Sequence, residues 1–326
     1  MSDPPYTLYN WAHTHSATPA FFHEPSTVAG VQAAVLAAAS RHAVLRVIGA
    51  AHSPSDCAMA HGAGHEMLSL RRLCAIHSID PATGAVDVDA GITLEALNGA
   101  LAAAGLALPN LGSISAQSLG GCIATGTHGT GAREGLLSAA ISRVSLVTAD
   151  GALRSAARGD ALLPAALCSL GLLGVVVRVT LRAVPAFHLR VREAPVPLEE
   201  LLRTLPARVA SARHYRFWWF PHTGRAWEWR ADPVPAPPPL PPPAWGALGA
   251  LARATARWWA AARGWATGKL LGLHCLQAAL WLSLRAPWLV PHINAAWARM
   301  LFGAPRESCV GSVEAFNFDC LFLQCV

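Results

Sequence analysis

The chain has 326 residues, 53% of them hydrophobic, which is ample for a large core and gives disorder no compositional basis. Its 25 basic against 19 acidic residues leave a net charge of +6, and every basic residue except Lys269 is arginine. No aromatic-interleaved basic patch accompanies that charge, so nucleic acid is not an expected partner, and eight cysteines without a C-x-x-C pair suggest neither a zinc or other metal site nor a disulfide framework.

The first residues, "MSDPPYTLYNWAHTHS", lack a charged region followed by an apolar one, so no cleaved signal peptide is expected and residues 1–19 read as an N-terminal segment. Ser26 reads as the N-cap of an alanine-rich helix, and "LRVI" (45–48) as the strand that follows it. That strand runs into a narrow turn, Gly49-Ala50-Ala51, which delivers His52 ahead of Ser53 and Pro54. The next unit has an alternating strand at Val86 and Val88, a turn at Gly91, a helix from Thr93 to about Ala104 and a stop at Gly105.

"NLGSISAQSLGGCIATGTHGTG" (110–131) carries six glycines in 22 residues, a loop whose N–H groups, unshielded by Cβ atoms, suit close approach to an anion such as a pyrophosphate. Its spacing matches neither G-x-x-x-x-G-K-[ST] nor G-x-G-x-x-G, which argues against a P-loop and a Rossmann domain. "ISRVSLVTADG" predicts a strand with a hairpin turn at Asp150-Gly151, and "GLLGVVVRVTLRAV" a β-branched strand. Residues 20–187 thus form one α+β domain.

After Pro185 the aromatic–polar alternation of "HYRFWWFPHTGRAWEWR" predicts an antiparallel sheet, and the proline run 233–243 an extended, exposed loop. Seven of the twelve tryptophans fall within 244–303. The longest charge-free run there, Leu270 to Leu284, is 15 residues, short of the roughly 20 that span a bilayer. Two arrangements fit this segment: helices lying in a membrane interface, or a buried helix pair.

"RVIGAAHSPSD", "VDVDAGITLEALNGAL", "GLALPNLGSISAQSLGGCIATGTHGTG", "LVTADG", "GLLGVVVRVTL" and "VPAFHL" resemble, in order, the flavin-binding domain of the sugar-1,4-lactone oxidases, a family of vanillyl-alcohol-oxidase-type FAD flavoproteins. "RFWWFPHTG", "WLVPHINAAWARMLF" and "FNFDCLFLQ" resemble the branch of that family that completes ascorbate synthesis in animals. The fold implied is α+β: a PCMH-type FAD-binding domain of two α/β subdomains over 20–187, then part of an α+β cap domain over 188–326.

The resemblance implies FAD bonded covalently, through its 8α-methyl carbon, to His52. Around its pyrophosphate and ribityl chain it places Ile48, Gly49, Ala50, Ala51, Ser53 and Pro54 from one loop. From the other it places Ser115, Gly120, Gly121, Thr125, Gly126, Thr127 and His128, with Thr125 and Thr127 as hydroxyl donors and His128 as a structural residue. Val175 and Val176 are expected near the adenine or flavin edge. Ala50 and Ala51 stand where relatives usually carry glycines.

The reaction implied is oxidation of the C2 hydroxyl of L-gulono-1,4-lactone, with dioxygen as acceptor and hydrogen peroxide as product, at an endoplasmic-reticulum membrane surface. A related aldonolactone or sugar-alcohol oxidase is the alternative. The family's "HW-x-K" motif and its substrate-binding Glu/Arg pair have no counterpart up to Val326, so no catalytic residue is assigned. The chain reads as C-terminally truncated, with an inactive flavin-binding remnant as the third possibility.

Overall fold

Short parallel strands flanked by an amphipathic helix open the fold. The computed structural model describes residues 6–235, 275–301 and 304–316. Strands β1 (Phe21–His23) and β2 (Leu45–Ile48) both pair in parallel with β3 (Glu66–Ser69), which lies between them. Helix α1 (Val28–Ser40) makes the crossover and buries Val31, Ala34, Val35 and Ala38, one stripe at helical spacing. Its N-cap is Thr27, one residue beyond the expected Ser26, because the Thr27 hydroxyl is the one that accepts the Gly30 N–H, at 3.1 Å.

A five-stranded antiparallel sheet follows, built from β4 (Ile76–Asp80), β5 (Ala85–Asp89), β6 (Ile141–Val147), β7 (Leu153–Ala157) and β8 (Val175–Arg182) in the order β7-β6-β8-β5-β4. Alternation decides its buried face: Val175, Val177, Val179 and Leu181 are buried while Arg178 and Arg182 are exposed. Helix α2 (Leu94–Ala103), capped by the Thr93 hydroxyl, buries Leu94, Leu97 and Leu101 and stops before Gly105 at φ +71°. The glycine-rich stretch is not all loop. Gly120 and Gly121 lie inside α3 (Leu119–Ala124), capped by Ser118, because this turn of helix packs on Ala90 where a Cβ at Gly120 would sit 3.0 Å from the carbonyl oxygen.

The chain divides into two compact units, one running to Ala186 and the other from Phe187 to Gly311; the short segment from Ser312, in the region read above as cap, belongs with the first. In the second unit β9 (His188–Pro197), β10 (His214–Trp219), β11 (Arg225–Val234) and β12 (Arg306–Gly311) form an antiparallel sheet ordered β10-β11-β9-β12. Its centre is the buried carboxylate Glu228, which accepts from Arg208, Tyr215 and Arg230 at 2.8 to 2.9 Å. Burial pushes the Glu228 carboxyl up, but the bonds from Arg230, Arg208 and Tyr215 outweigh it and hold it below the usual range.

Strand β11 includes Pro233, which the sequence reading put in a loop. Pro233 pairs with Leu189 beyond the last β10 pair at Ala231, so it has a partner strand on one side only, the condition under which a missing N–H is tolerated. Of the tryptophan-rich segment, two helices and the link between them are described, with Trp297 buried and Trp281, Leu284 and Trp288 exposed. The proline run from 236 and residues 244–274 lie outside the described residues.

Candidate functional site

At the end of β2 the backbone must turn beside α3. Gly49 is required there, since a Cβ would lie 2.1 Å from the Ser118 Oγ. Ala51 then adopts φ +55°, a left-handed conformation that costs an L-residue about 1–2 kcal/mol. This turn folds the His52 ring back so that its Nδ1 meets the Ala50 carbonyl at 2.9 Å. A carbonyl only accepts, so Nδ1 bears the hydrogen and the Nε2 lone pair of the neutral ring is left available. Burial pushes the His52 pKa below the ordinary histidine value, against the smaller opposing effect of the Ala50 hydrogen bond. His52 is therefore a neutral imidazole at pH 7, the nucleophilic form.

The same turn exposes backbone donors. Among the described residues, no N–H group from Gly49 to Ser53 donates to a protein acceptor. The second stretch differs from expectation here. The N–H groups of Leu119, Gly120 and Gly121 are taken by Ile92 O, Ala90 O and Ser118 Oγ, and the Thr125 hydroxyl donates to Gly121 O at 2.9 Å. The helix start thus spends its donors on the fold, and Thr125 can accept from a ligand more readily than donate to it.

Two adjoining cavities of about 90 and 60 Å³ share Ile48, Gly49, Ser118, Gly121 and Leu170 in their walls. Ala50, Ala51, His52, Ser53 and Thr125 line the first, and Gly120 and Val176 the second. Pro54, Ser115, Gly126, Thr127, His128 and Val175 line neither. Val175 is buried in the sheet, His128 is exposed with Nδ1 against the Gly129 carbonyl, and Gly126 at φ +67° packs against Cys168. Sequence reasoning missed Gln117, Ser118, Cys122 and Leu170. Ser118 had a signal, as a serine opening a helix; Leu170, left-handed at φ +53°, had none.

Among the described residues neither wall contains a carboxylate, and the first is lined by Gly49 to Ser53, whose five N–H groups have no protein acceptor and which include the neutral His52. These features fit an elongated, doubly anionic cofactor with one electrophilic carbon, which is what FAD is. The "FAD binding domain" family model matches residues 19–157, and the fold resembles a cholesterol oxidase from Brevibacterium sterolicum with a TM-score of 0.65, at 20% identity, over 96% of this chain and 62% of that one. Fold and site together define an FAD flavoprotein.

A second model, "D-arabinono-1,4-lactone oxidase", matches residues 179–326. L-gulonolactone oxidase of Scyliorhinus torazame is 35% identical over 98% of this chain and 68% of its own length, and that of Bos taurus 31% over 97% and 67%. D-arabinono-1,4-lactone oxidase of Yarrowia lipolytica is 34% identical over 97% of this chain and 58% of its own. The chain belongs to the family of FAD-dependent sugar-1,4-lactone oxidases, and spans about two thirds of the length of its animal relatives.

Proposed function

We propose that this chain is the flavin-bearing portion of an oxidase acting on L-gulono-1,4-lactone at the C2 hydroxyl, with dioxygen as acceptor, hydrogen peroxide as by-product and ascorbate as the tautomerised product. The observation that carries the reading is the likeness, over 97–98% of this chain and about two thirds of theirs, to two vertebrate L-gulonolactone oxidases. When bound, the flavin supplies a two-electron acceptor for the substrate's hydride. The protein's share is to hold it: Gly49 to Ser53 line the cleft with N–H groups that have no protein acceptor among the described residues, and His52, a neutral imidazole, is the proposed point of covalent attachment. D-arabinono-1,4-lactone is the second reading, favoured by the match over residues 179–326.

The test is to precipitate the protein in acid and measure flavin in the pellet beside His52→Ala, then follow oxygen uptake with each lactone. Flavin retained by wild type and lost from the variant is the expected result; a colourless wild-type pellet sinks covalent attachment. Faster uptake with D-arabinono-1,4-lactone transfers the assignment to the second substrate.

We further propose attachment to the endoplasmic-reticulum membrane surface through the helical segment that exposes Trp281, Leu284 and Trp288 at 56, 83 and 71%, with Arg285 stacked 3.7 Å above the Trp281 ring. Among the described residues no helix is long and apolar enough to cross a membrane, so the contact proposed is interfacial. Flotation with anionic phospholipid vesicles is expected for the wild type and much reduced for Trp281→Ala/Trp288→Ala; equal flotation of both removes this segment as the anchor.

A further inference from the structure

The second unit contains a cavity of about 400 Å³, several times larger than either cavity beside the cofactor loops and within the range of sites that hold a small organic molecule. Three elements of that unit enclose it. Strands β9 and β11 supply the paired residues Pro195 and Trp227, the turn between β10 and β11 supplies Phe220, and the helix Val290–Leu301 supplies Ala295 and Ala298. The Asn294 side-chain amide donates to the Pro221 carbonyl at 3.1 Å and pins that helix to the turn. Within the turn the Thr223 hydroxyl donates to the Phe220 carbonyl at 2.7 Å.

The wall divides by chemistry. Trp227 has its indole N–H committed to the Glu193 carboxylate at 3.2 Å, so its ring carbons join Phe220, Pro195 and the alanines in an apolar surface. The ionisable side chains of the wall are Arg225, Arg299 and His222, and among the described residues no carboxylate joins them. Elsewhere on the same sheet arginine is partnered. Arg190 and Arg192 lie 3.6 Å from Glu307, Arg230 lies 2.8 Å from Glu228 and Arg306 4.0 Å from Glu193, while Arg216 lies over the Trp218 and Trp229 rings. Among the described residues neither Arg225 nor Arg299 has such a partner. Two guanidiniums on one cavity leave its positive charge uncompensated, and each fork can bond a carboxylate or phosphate through two N–H groups.

We propose that this cavity is a binding site for a small amphiphilic anion: a carboxylate or phosphate monoester carried on a short apolar body. Arg225 and Arg299 take the oxyanion, and Trp227, Phe220 and the alanines surround the body. A sugar lactone lacks the charge and inorganic phosphate lacks the body, so neither satisfies both parts of the wall. The site lies wholly within the second unit, and its test is independent of the flavin and lactone readings.

Calorimetric titration of the full chain with octanoate and octyl phosphate, beside octan-1-ol and inorganic phosphate, separates charge from body. One octanoate or octyl phosphate per chain is expected to bind at least about tenfold more tightly than either control, and the tighter of the two identifies the headgroup. Arg225→Gln and Arg299→Gln are each expected to weaken that binding about tenfold or more. Arg203→Gln, at an exposed arginine of the same unit outside the cavity, is expected to leave it within about twofold. Ala298→Leu keeps both charges but fills space, and should weaken binding as the arginine variants do; if it fails to fold, the arginine variants decide alone. Octanol binding as tightly as the anions reduces the cavity to an apolar groove and overturns the proposal, as does phosphate binding as tightly as octyl phosphate. No binding, or an equal loss in Arg203→Gln, also overturns it. Binding that survives in the arginine variants but falls in Trp281→Ala/Trp288→Ala places the amphiphile on the exposed helical segment and refutes the site.

Discussion

Ala51 carries a methyl group where the backbone is left-handed, a strain of about 1–2 kcal/mol for an L-residue. Ala51→Gly relieves it at the cost of about 0.5–1 kcal/mol from the looser unfolded chain, so a small gain of about 0.5 kcal/mol is expected. A urea midpoint that falls instead would mean that the methyl's packing against the Ile48–Met59 cluster outweighs the strain. His52 sets a second expectation. Its folded pKa lies below its unfolded value of about 6.5, so the unfolded state binds the extra proton first as pH drops. Its contribution to stability is whole above about pH 6.5 and is lost as pH falls through the folded value, so His52→Ala is expected to flatten the slope of urea midpoint against pH on that side. An identical slope in the variant would show that other groups carry it. The resemblance of "AHSPS" to a family attachment loop singled out His52, and the structure places it in the wall of the first cavity. Cys122 and Leu170 were not legible, because their places depend on residues 118–125 and 168–174 meeting the β2 turn, and no local pattern encodes such a meeting.

Elements were legible wherever one periodicity ruled. α2 keeps the limits read from Thr93 and Gly105, and the run read as a β-branched strand is β8. The misreadings fall where local chemistry was ambiguous: Ser26 and Thr27 are adjacent cap formers, two consecutive glycines disguise a helix, and Pro233 looks like a strand end until a one-sided pairing accommodates it. What joins the parallel strands was not visible at all. Glu66 of β3, 1% exposed, accepts Arg41 at the end of α1 through both oxygens, at 2.7 and 2.9 Å, and His23 of β1 at 2.7 Å. The Arg41 guanidinium, ahead of His23, holds its carboxyl below the usual range against the opposing effect of burial. With Arg41 40% and His23 22% exposed, both partners can be rehydrated when the carboxylate is removed, so Glu66→Ala should cost about 2 kcal/mol rather than the 3–5 of a fully buried pair. Because β3 lies beside β2, native flavin content is expected to fall with it. A loss below about 0.5 kcal/mol, the range of an exposed surface change, would mean that this carboxylate is incidental to the sheet.

On the scale of the molecule, two buried acids, Glu66 in the first unit and Glu228 in the second, have carboxyl pKa values held down by arginines. Each stabilises its unit above the ordinary carboxylate range and releases that stability as pH falls through its folded value, so acid should unfold both units. The segment from Ser312 adds a different constraint. It returns to the first unit and buries Ala315 and Phe316 there, at 7 and 2% exposed. In chain order most of the second unit is thus an insertion: the polypeptide leaves the flavin-binding unit at Ala186 and comes back to it more than a hundred residues later. A stop codon after Gly311 would therefore strike the flavin unit, lowering its melting temperature and its flavin content, although every removed residue lies far downstream of the cofactor loops. For the biosynthetic chain, the flavin-binding unit cannot be completed until the ribosome has made the insertion, which ties cofactor capture to a late moment of translation.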